Sequence, residues 1–316
     1  MQKILNKIIW KNRFANIYFM WALNSKFIRG IILEYVSKMH YKYRLDFFYH
    51  VRKYINQYEG ELRPGIVEFR FAGNRIKVPF TDKAYGGTFA ILCHDIEVKE
   101  TYVDLLDKFS CRLFYDIGAN SGYHSLIVSS FGIKVVSFEP NEYCYIRYKS
   151  LFAENDFCTE WVQRAVGSQN GKMLLNYKED ETYLGFISDK KVGGYRSNEI
   201  DVVSLDSFTT KRQLPDLIKI DTEGSELKVL EGAILLIKSS SPFIILEFDY
   251  NLSDLSAIVN FLDDIEYKIV TIPLGKQSKY VTKENISTIV TDSANVLAFH
   301  QSFTLEIEEI ISCKDL

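Results

Sequence analysis

Acidic residues at the ends of apolar runs mark where this chain can do chemistry. Asp116 closes Leu113-Phe-Tyr-Asp and precedes a turn with glycines at 118 and 122. Glu139 follows a second run, Lys134-Val-Val-Ser-Phe, 21 positions after Gly118. Asp221 follows Leu217-Ile-Lys-Ile, with Thr222 and Glu223 behind it, and Glu247 stands near the end of Phe243-Ile-Ile-Leu-Glu-Phe. In an open parallel sheet, ligands bind beyond the carboxyl ends of the strands. Acids at those ends therefore ring one rim. Strand, glycine turn, helix, strand and acid, in that order, form the layout of a nucleoside-binding half of a doubly wound sheet.

The turn reads G-x-x-x-G, whereas a dinucleotide pyrophosphate turn reads G-x-G-x-x-G. Gly118 and Gly122 can take positive φ and bring backbone close to a ligand. A phosphate cradle aims backbone N–H groups at an anion, and an acid at the strand end works against that. Asp116 favours a ligand with a cationic end. S-adenosylmethionine has an amino acid and a sulfonium at one end and an adenosine at the other, and Glu139 suits its two ribose hydroxyls. The candidate cofactor contacts are Asp116, Gly118, Asn120, Gly122, Glu139 and Asn141. One rival is an NAD(P)-dependent oxidoreductase, since Glu139 also suits that ribose, but the middle glycine is missing. A second rival is a non-enzymatic protein on the same scaffold.

These residues need a sheet to hold them. Apolar runs predict strands at Phe114–Ile117, Val135–Phe138, Trp161–Val166, Leu217–Asp221, Phe243–Phe248, Tyr267–Ile272 and Val296–Phe299. Helical spacing predicts Gly122–Phe131, Glu142–Glu154, Ser225–Lys238 and Leu255–Leu262 between them. Strand-like runs at Lys172–Tyr177 and Ile200–Leu205 flank a polar stretch, 179–198. Alternating strands and helices imply a mostly parallel sheet covered on both faces. Upstream, Gly65–Phe80 alternates around Ala72-Gly73-Asn74, a hairpin signal, and Glu97–Phe109 has helical spacing. The expected division is an extension over residues 1–90 and a main domain over 91–316.

Six segments together resemble one family, the FkbM-type S-adenosylmethionine-dependent methyltransferases. They are Asp116-Ile-Gly-Ala-Asn-Ser-Gly122, Phe138-Glu-Pro140, Ala165-Val-Gly167, Ser204-Leu-Asp206, Lys219-Ile-Asp-Thr-Glu-Gly-Ser-Glu226 and Leu230-Glu-Gly232. The first is shared by class I methyltransferases in general; the Lys219–Glu226 run is far more diagnostic. The resemblance covers about residues 95–250. It implies a seven-stranded class I sheet whose last strand is antiparallel, adds Ala165 to the cofactor contacts, and implies methyl transfer to an oxygen, often on a sugar of a glycan or a secondary metabolite.

Methyl transfer from a sulfonium is an in-line displacement that needs the acceptor oxygen about 3–3.5 Å from the carbon and water excluded. A neutral sugar hydroxyl is a poor nucleophile and needs a base or a metal. Asp221, Glu223 and Glu247 are the catalytic candidates. Asp221 and Glu247 can hold Mg²⁺ as hard oxygens, or as like charges one can raise the other's pKa toward that of a usable base. Glu223 or Ser225 also suits the N-cap of the following helix. Lys219 lies on the same strand face as Asp221, and a buried lysine needs a carboxylate partner, so it reads as an ion pair orienting Asp221 or Glu247. His124 reads as packing, His94 lies in a loop that can reach the site, and His300 follows the last strand. Acceptor contacts are expected from 179–198, where Tyr183, Tyr195 and Arg196 stand.

The composition, with net charge −3 over 316 residues, is that of an ordinary globular chain and argues against a nucleic-acid binder. Cys93, Cys111, Cys144, Cys158 and Cys313 are scattered, without C-x-x-C spacing, and read as free thiols of a reducing, cytoplasmic setting. No signal-peptide pattern opens the chain, and the run Phe14–Leu23 is too short to span a bilayer. Residues 1–56 carry eleven Lys or Arg against Glu34 and Asp46, interleaved with aromatics. That segment suits either a helical cap on the main domain or a peripheral contact with an anionic membrane at its inner face.

Overall fold

A computed structural model describes residues 26–39, 44, 65–80, 88–178, 185–249, 254–291 and 293–314. It divides the chain into two compact units: Met1–Ile96 with Lys149–Phe157, and Glu97–Tyr148 with Cys158–Leu316.

In the first unit, helix α1 (Lys26–Ser37) packs on a hairpin of β1 (Ile66–Phe71) and β2 (Asn74–Pro79). A short helix, α2 (Thr88–Cys93), follows. The hairpin turn is Ala72-Gly73, with φ of 46° and 85°. Both are left-handed, as the twist of a two-residue hairpin loop requires. Val67, Phe69, Phe71, Ile76 and Val78 point inward and are buried. Two basic residues of the 1–56 segment also face inward. The Arg29 guanidinium lies 4.0 Å from the Phe80 ring centroid. Arg44 donates to the carbonyls of Met39 and Ser37 at 2.7 and 2.8 Å, just past the end of α1. The rest of that segment, apart from residues 26–39, lies outside the described residues, as does Tyr183. Among the described residues no helix is long and apolar enough to cross a membrane.

The second unit is built on an eight-stranded sheet. Its elements begin with α3 (Ile96–Lys108), β3 (Leu113–Ile117), α4 (Tyr123–Ser129), β4 (Lys134–Phe138), α5 (Glu142–Phe152) and β5 (Thr159–Val162). After a smaller sheet come β10 (Leu217–Ile220), α7 (Glu226–Glu231), α8 (Ile234–Ser240), β11 (Phe243–Asp249), α9 (Leu255–Asp264) and β12 (Tyr267–Thr271). The unit ends with β13 (Tyr280–Val281), α10 (Ile286–Ile289), β14 (Ser293–His300) and α11 (Thr304–Cys313). The sheet order is β13-β12-β14-β11-β10-β3-β4-β5. Pairing is parallel from β5 to β11. Strand β14 is inserted antiparallel between β11 and β12, as the expected antiparallel last strand. The expectation of seven strands is exceeded by β13, a two-residue edge strand antiparallel to β12. Every residue of β3 and β10 is buried, as a central parallel strand covered on both faces requires.

Two predicted elements are broken. The run Trp161–Val166 is not one strand. Arg164 N–H donates to the Val162 carbonyl at 2.8 Å, a three-residue turn that takes the chain out of the main sheet. Ala165–Val166 then forms β6 in a second sheet with β7 (Gly171–Tyr177), β8 (Gly185–Ser188) and β9 (Arg196–Val203), in the order β6-β9-β7-β8.

The run Ser225–Lys238 is likewise two helices, α7 and α8, separated at Gly232-Ala233. A Cβ on Gly232 would overlap the Gly167 carbonyl oxygen. Asp206, in α6 (Leu205–Thr209), donates its backbone N–H to the Gly232 carbonyl at 2.9 Å. Its carboxylate accepts from Leu235 and Leu236 N–H at 3.1 and 2.8 Å, satisfying donors that open α8. Ala165–Gly167, Ser204–Asp206 and Leu230–Gly232, distant in sequence, therefore meet at one junction.

Replacing Gly232 by Ala is expected to cost about 1–3 kcal/mol, because the contacting atoms are backbone and cannot turn away. Gly171→Ala, whose Cβ would enter open space, is expected to stay within about 0.5 kcal/mol of the parent. Urea denaturation of the two variants compares them directly.

Candidate active site

The site is assembled in two rows across the sheet. The lower row is Ser137 on β4, Asp116 on β3 and Lys219 on β10, paired in register and buried. Cross-strand partners share a face, so these three polar side chains lie side by side inside the sheet. Asp116 Oδ2 accepts from the Ser125 N–H at 3.0 Å and the Ser125 hydroxyl at 2.6 Å. The Ser125 and Ser137 hydroxyls are 2.7 Å apart. Oδ1 of Asp116 is buried without a hydrogen-bond partner. Burial raises its pKa, while the Lys219 charge and the Ser125 hydrogen bonds oppose that rise. Through Oδ2, Asp116 ties the first turns of α4 to β3 and so supports the glycine turn from below.

The upper row is the rim itself. Gly118 (φ 77°) and Gly122 (φ 80°) hold the turn after β3, and Asn120 joins them in the left-handed region at φ 47°, which asparagine tolerates better than most residues. Gly118 and Ala119 N–H both donate to the Phe138 carbonyl at 3.0 Å. A Cβ on Gly118 would overlap the Asp221 carbonyl oxygen, so only glycine fits there. Glu139 accepts the Asn120 N–H at 3.1 Å on Oε2 and the Asn141 N–H at 2.9 Å on Oε1. A carboxylate has about four acceptor sites, which leaves one on each oxygen for a ribose diol. Burial raises the Glu139 pKa to about 7, against those two amides. Asn141 is buried and accepts from Tyr143 N–H at 3.1 Å. Ala165 is buried at the start of β6.

Asp221 follows β10 level with Glu247, because the register pairs Ile220 with Leu246. The Lys219 ammonium, with its side chain 3% exposed, donates to Asp221 Oδ2 at 2.5 Å, the internal ion pair expected from sequence. Glu247 Oε1 accepts from the Ser293 hydroxyl at 2.8 Å. Burial first, then the Asp221 charge, push Glu247 up to about 8.

Magnesium does not fit this pair. One Asp221 oxygen is already occupied by a buried ammonium, which repels a divalent cation, and Mg²⁺ demands near-octahedral oxygen ligands. Among the described residues no group of three or more His, Cys, Asp or Glu is placed to hold a metal.

Glu223 is exposed on the loop at φ 53°. Ser225 stands at the N-cap of α7 but makes no side-chain cap bond. Glu226 does the work instead. Buried in the first turn, its Oε1 accepts from Thr222 N–H and hydroxyl and from Gly224 N–H at 3.0–3.1 Å. Sequence reasoning passed over Glu226, Ser125, Ser137 and Ser293. Only Glu226 carried a signal, an acid at the start of a helix after a glycine. His124 is packing: its Nδ1 is 3.1 Å from the Tyr102 hydroxyl. His94 is exposed and pairs with Asp95 at 2.8 Å. Tyr195 packs edge-on against Phe186, centroids 5.2 Å apart, and Arg196 is exposed.

A mostly parallel sheet with one antiparallel strand inserted next to its last parallel strand, and a glycine turn and acid at its central rim, defines a class I methyltransferase fold. Residues 116–269 match the methyltransferase FkbM domain, and this segment belongs to that family. Among solved structures, methyltransferase FkbM from Methylobacillus flagellatus KT is 20% identical with a TM-score of 0.40, covering 60% of this chain and 44% of that one. The chain thus spans less than half the length of that protein. The O-methyltransferase from Bacillus cereus, in complex with SAH, is 16% identical with a TM-score of 0.37, covering 65% and 81%. The 16S rRNA N2 G1207 methyltransferase of T. thermophilus, in complex with AdoMet and guanosine, is 10% identical with a TM-score of 0.41, covering 75% and 51%. No curated protein matches.

Lys219→Met would leave Asp116 and Asp221 without their buried cation. A cost of about 3–5 kcal/mol is expected. The raised carboxyls contribute stability when protonated and lose it as pH rises through their folded pKa. The defect should therefore be larger at pH 8 than at pH 5 in parallel denaturation curves.

Proposed function

We propose that the domain transfers the methyl group of S-adenosylmethionine to a hydroxyl oxygen of a sugar-containing acceptor, with Glu247 taking the hydroxyl proton. The observation that carries this reading is the Asp221–Glu247 carboxyl pair, level on neighbouring strands and held by Lys219 on one side and Ser293 on the other, at the same rim as the Gly118–Glu139 turn. The cofactor supplies an electrophilic methyl carbon on a sulfonium. Glu139 offers its two remaining acceptor sites to the ribose hydroxyls. Asn120 and Asn141 hold that carboxylate through their amides, and Asp116 holds the turn from beneath through Ser125. The acidic rim favours the positive charge of the donor.

On the acceptor side, Glu247 removes the proton as the oxygen attacks. Lys219 keeps Asp221 ionised, and Asp221 in turn keeps Glu247 basic enough to act. A base near 7–8 is matched to such a task at neutral pH. A hydroxyl as acceptor is supported by the presence of that base, and a sugar by the family resemblance.

The test is binding and turnover on the full chain. S-adenosylhomocysteine is expected to bind, and Glu139→Ala to weaken it about 10–100-fold, the loss of hydrogen bonds to a charged group. Tight NAD(H) binding without S-adenosylhomocysteine binding would sink the reading. With a panel of mono- and oligosaccharides, Glu247→Gln is expected to lower kcat by about 10²–10⁴ while remaining folded, because a glutamine amide can accept from Ser293 and donate to Asp221. The base acts only when ionised, so the parent rate should rise with pH and level off above about 8.

A further inference from the structure

Strand β14 enters the sheet beside the end of β11, with Asn295 in register with Glu247 and Ser293 with Asp249. Residues 293 and 295 share the face of 247. Ser293 reaches diagonally and donates to Glu247 Oε1 at 2.8 Å. Asn295, directly opposite, turns to another partner: its Nδ2 donates to Glu97 Oε1, in the first turn of α3, at 3.3 Å. From the other side, β10 brings Asp221 and, behind it, Lys219. The groups facing Glu247 are therefore Asp221 and Lys219 from β10 and Ser293 and Asn295 from β14, with Glu97 of α3 beyond Asn295.

We infer that Ser293 is a positioning residue of the transfer step. The inference rests on the proposed function. The terminal torsion of a glutamate is broad and roughly two-fold, so a carboxyl at a strand end has no preferred aim of its own. A hydroxyl bonded to Oε1 removes that freedom, and in-line transfer tolerates little misplacement. In the step itself the acceptor's O–H proton passes to the Glu247 carboxylate. The oxygen's electron pair forms the new bond to the methyl carbon, and the C–S pair returns to sulfur. Ser293 exchanges no proton. Its hydrogen bond favours the ionised carboxylate and thereby opposes the Asp221 charge.

The test compares Ser293→Ala and Ser293→Thr with the parent in the full chain. Readouts are S-adenosylhomocysteine calorimetry and initial rates with S-adenosylmethionine and the saccharide panel across pH. Ser293→Ala is expected to lower kcat about 5–10-fold, the worth of one oriented hydrogen bond. It should move the ascending limb of the profile to higher pH and leave cofactor binding unchanged. Ser293→Thr, which keeps the hydroxyl, is expected to restore both. Parent-like kcat and limb in Ser293→Ala would overturn the inference. So would equal impairment of the two variants, which marks a packing defect. A parent chain that neither binds S-adenosylhomocysteine nor transfers methyl groups would overturn the proposed function first, and this inference with it. That failure appears without any substitution.

Discussion

The site depends on one buried ammonium among acids. Lys219 has almost no access to water, and removing an ammonium from water costs several kcal/mol unless a carboxylate answers it. Asp221 does so directly, and Asp116 does so electrostatically from the neighbouring strand. Among the described residues, Asp116, Asp221, Glu139 and Glu247 converge on this end of the sheet with Lys219 as the one buried cation beside them. Burial first, and the neighbouring acids after it, push Asp116, Glu139 and Glu247 upward.

Much of this was legible from residue order. The alternation of apolar runs and helical spacing placed the central strands within a residue or two, because a parallel strand covered on both faces is apolar throughout. The acids at their ends followed from that placement. What stayed hidden depended on contacts between distant segments. No local pattern says that Arg164 will turn the chain out of the sheet, or that Gly232 will meet Gly167. Ser125, Ser137 and Ser293 are ordinary serines until the strand register brings each beside an acid. Glu223 and Glu226 look equivalent in sequence, yet the left-handed backbone at Glu223 leaves that residue exposed and Glu226 turned back into the loop.

The segments that carry the family resemblance divide into two kinds. Asp116–Gly122, Phe138–Pro140 and Lys219–Glu226 build the rim. Ala165–Gly167, Ser204–Asp206 and Leu230–Gly232 build the junction where the small sheet, α6 and the break between α7 and α8 come together. There Asp206 serves two backbone donors of α8, and its own N–H closes onto Gly232. Motif residues of the second kind act by holding chain crossings, and the Asp206 carboxylate is already engaged by backbone.

The contact between Gly118 and the Asp221 carbonyl has a further consequence. One belongs to the turn proposed for the methyl donor, the other to the strand end proposed to carry the acceptor's base. Both touching atoms are main chain, with no side chain between them to absorb a displacement. The seam therefore acts as a fixed gauge block between the two halves of the reaction. Loops around the rim can lengthen or change composition to suit another acceptor, while the spacing from donor to base stays constant to within the compressibility of two packed backbones.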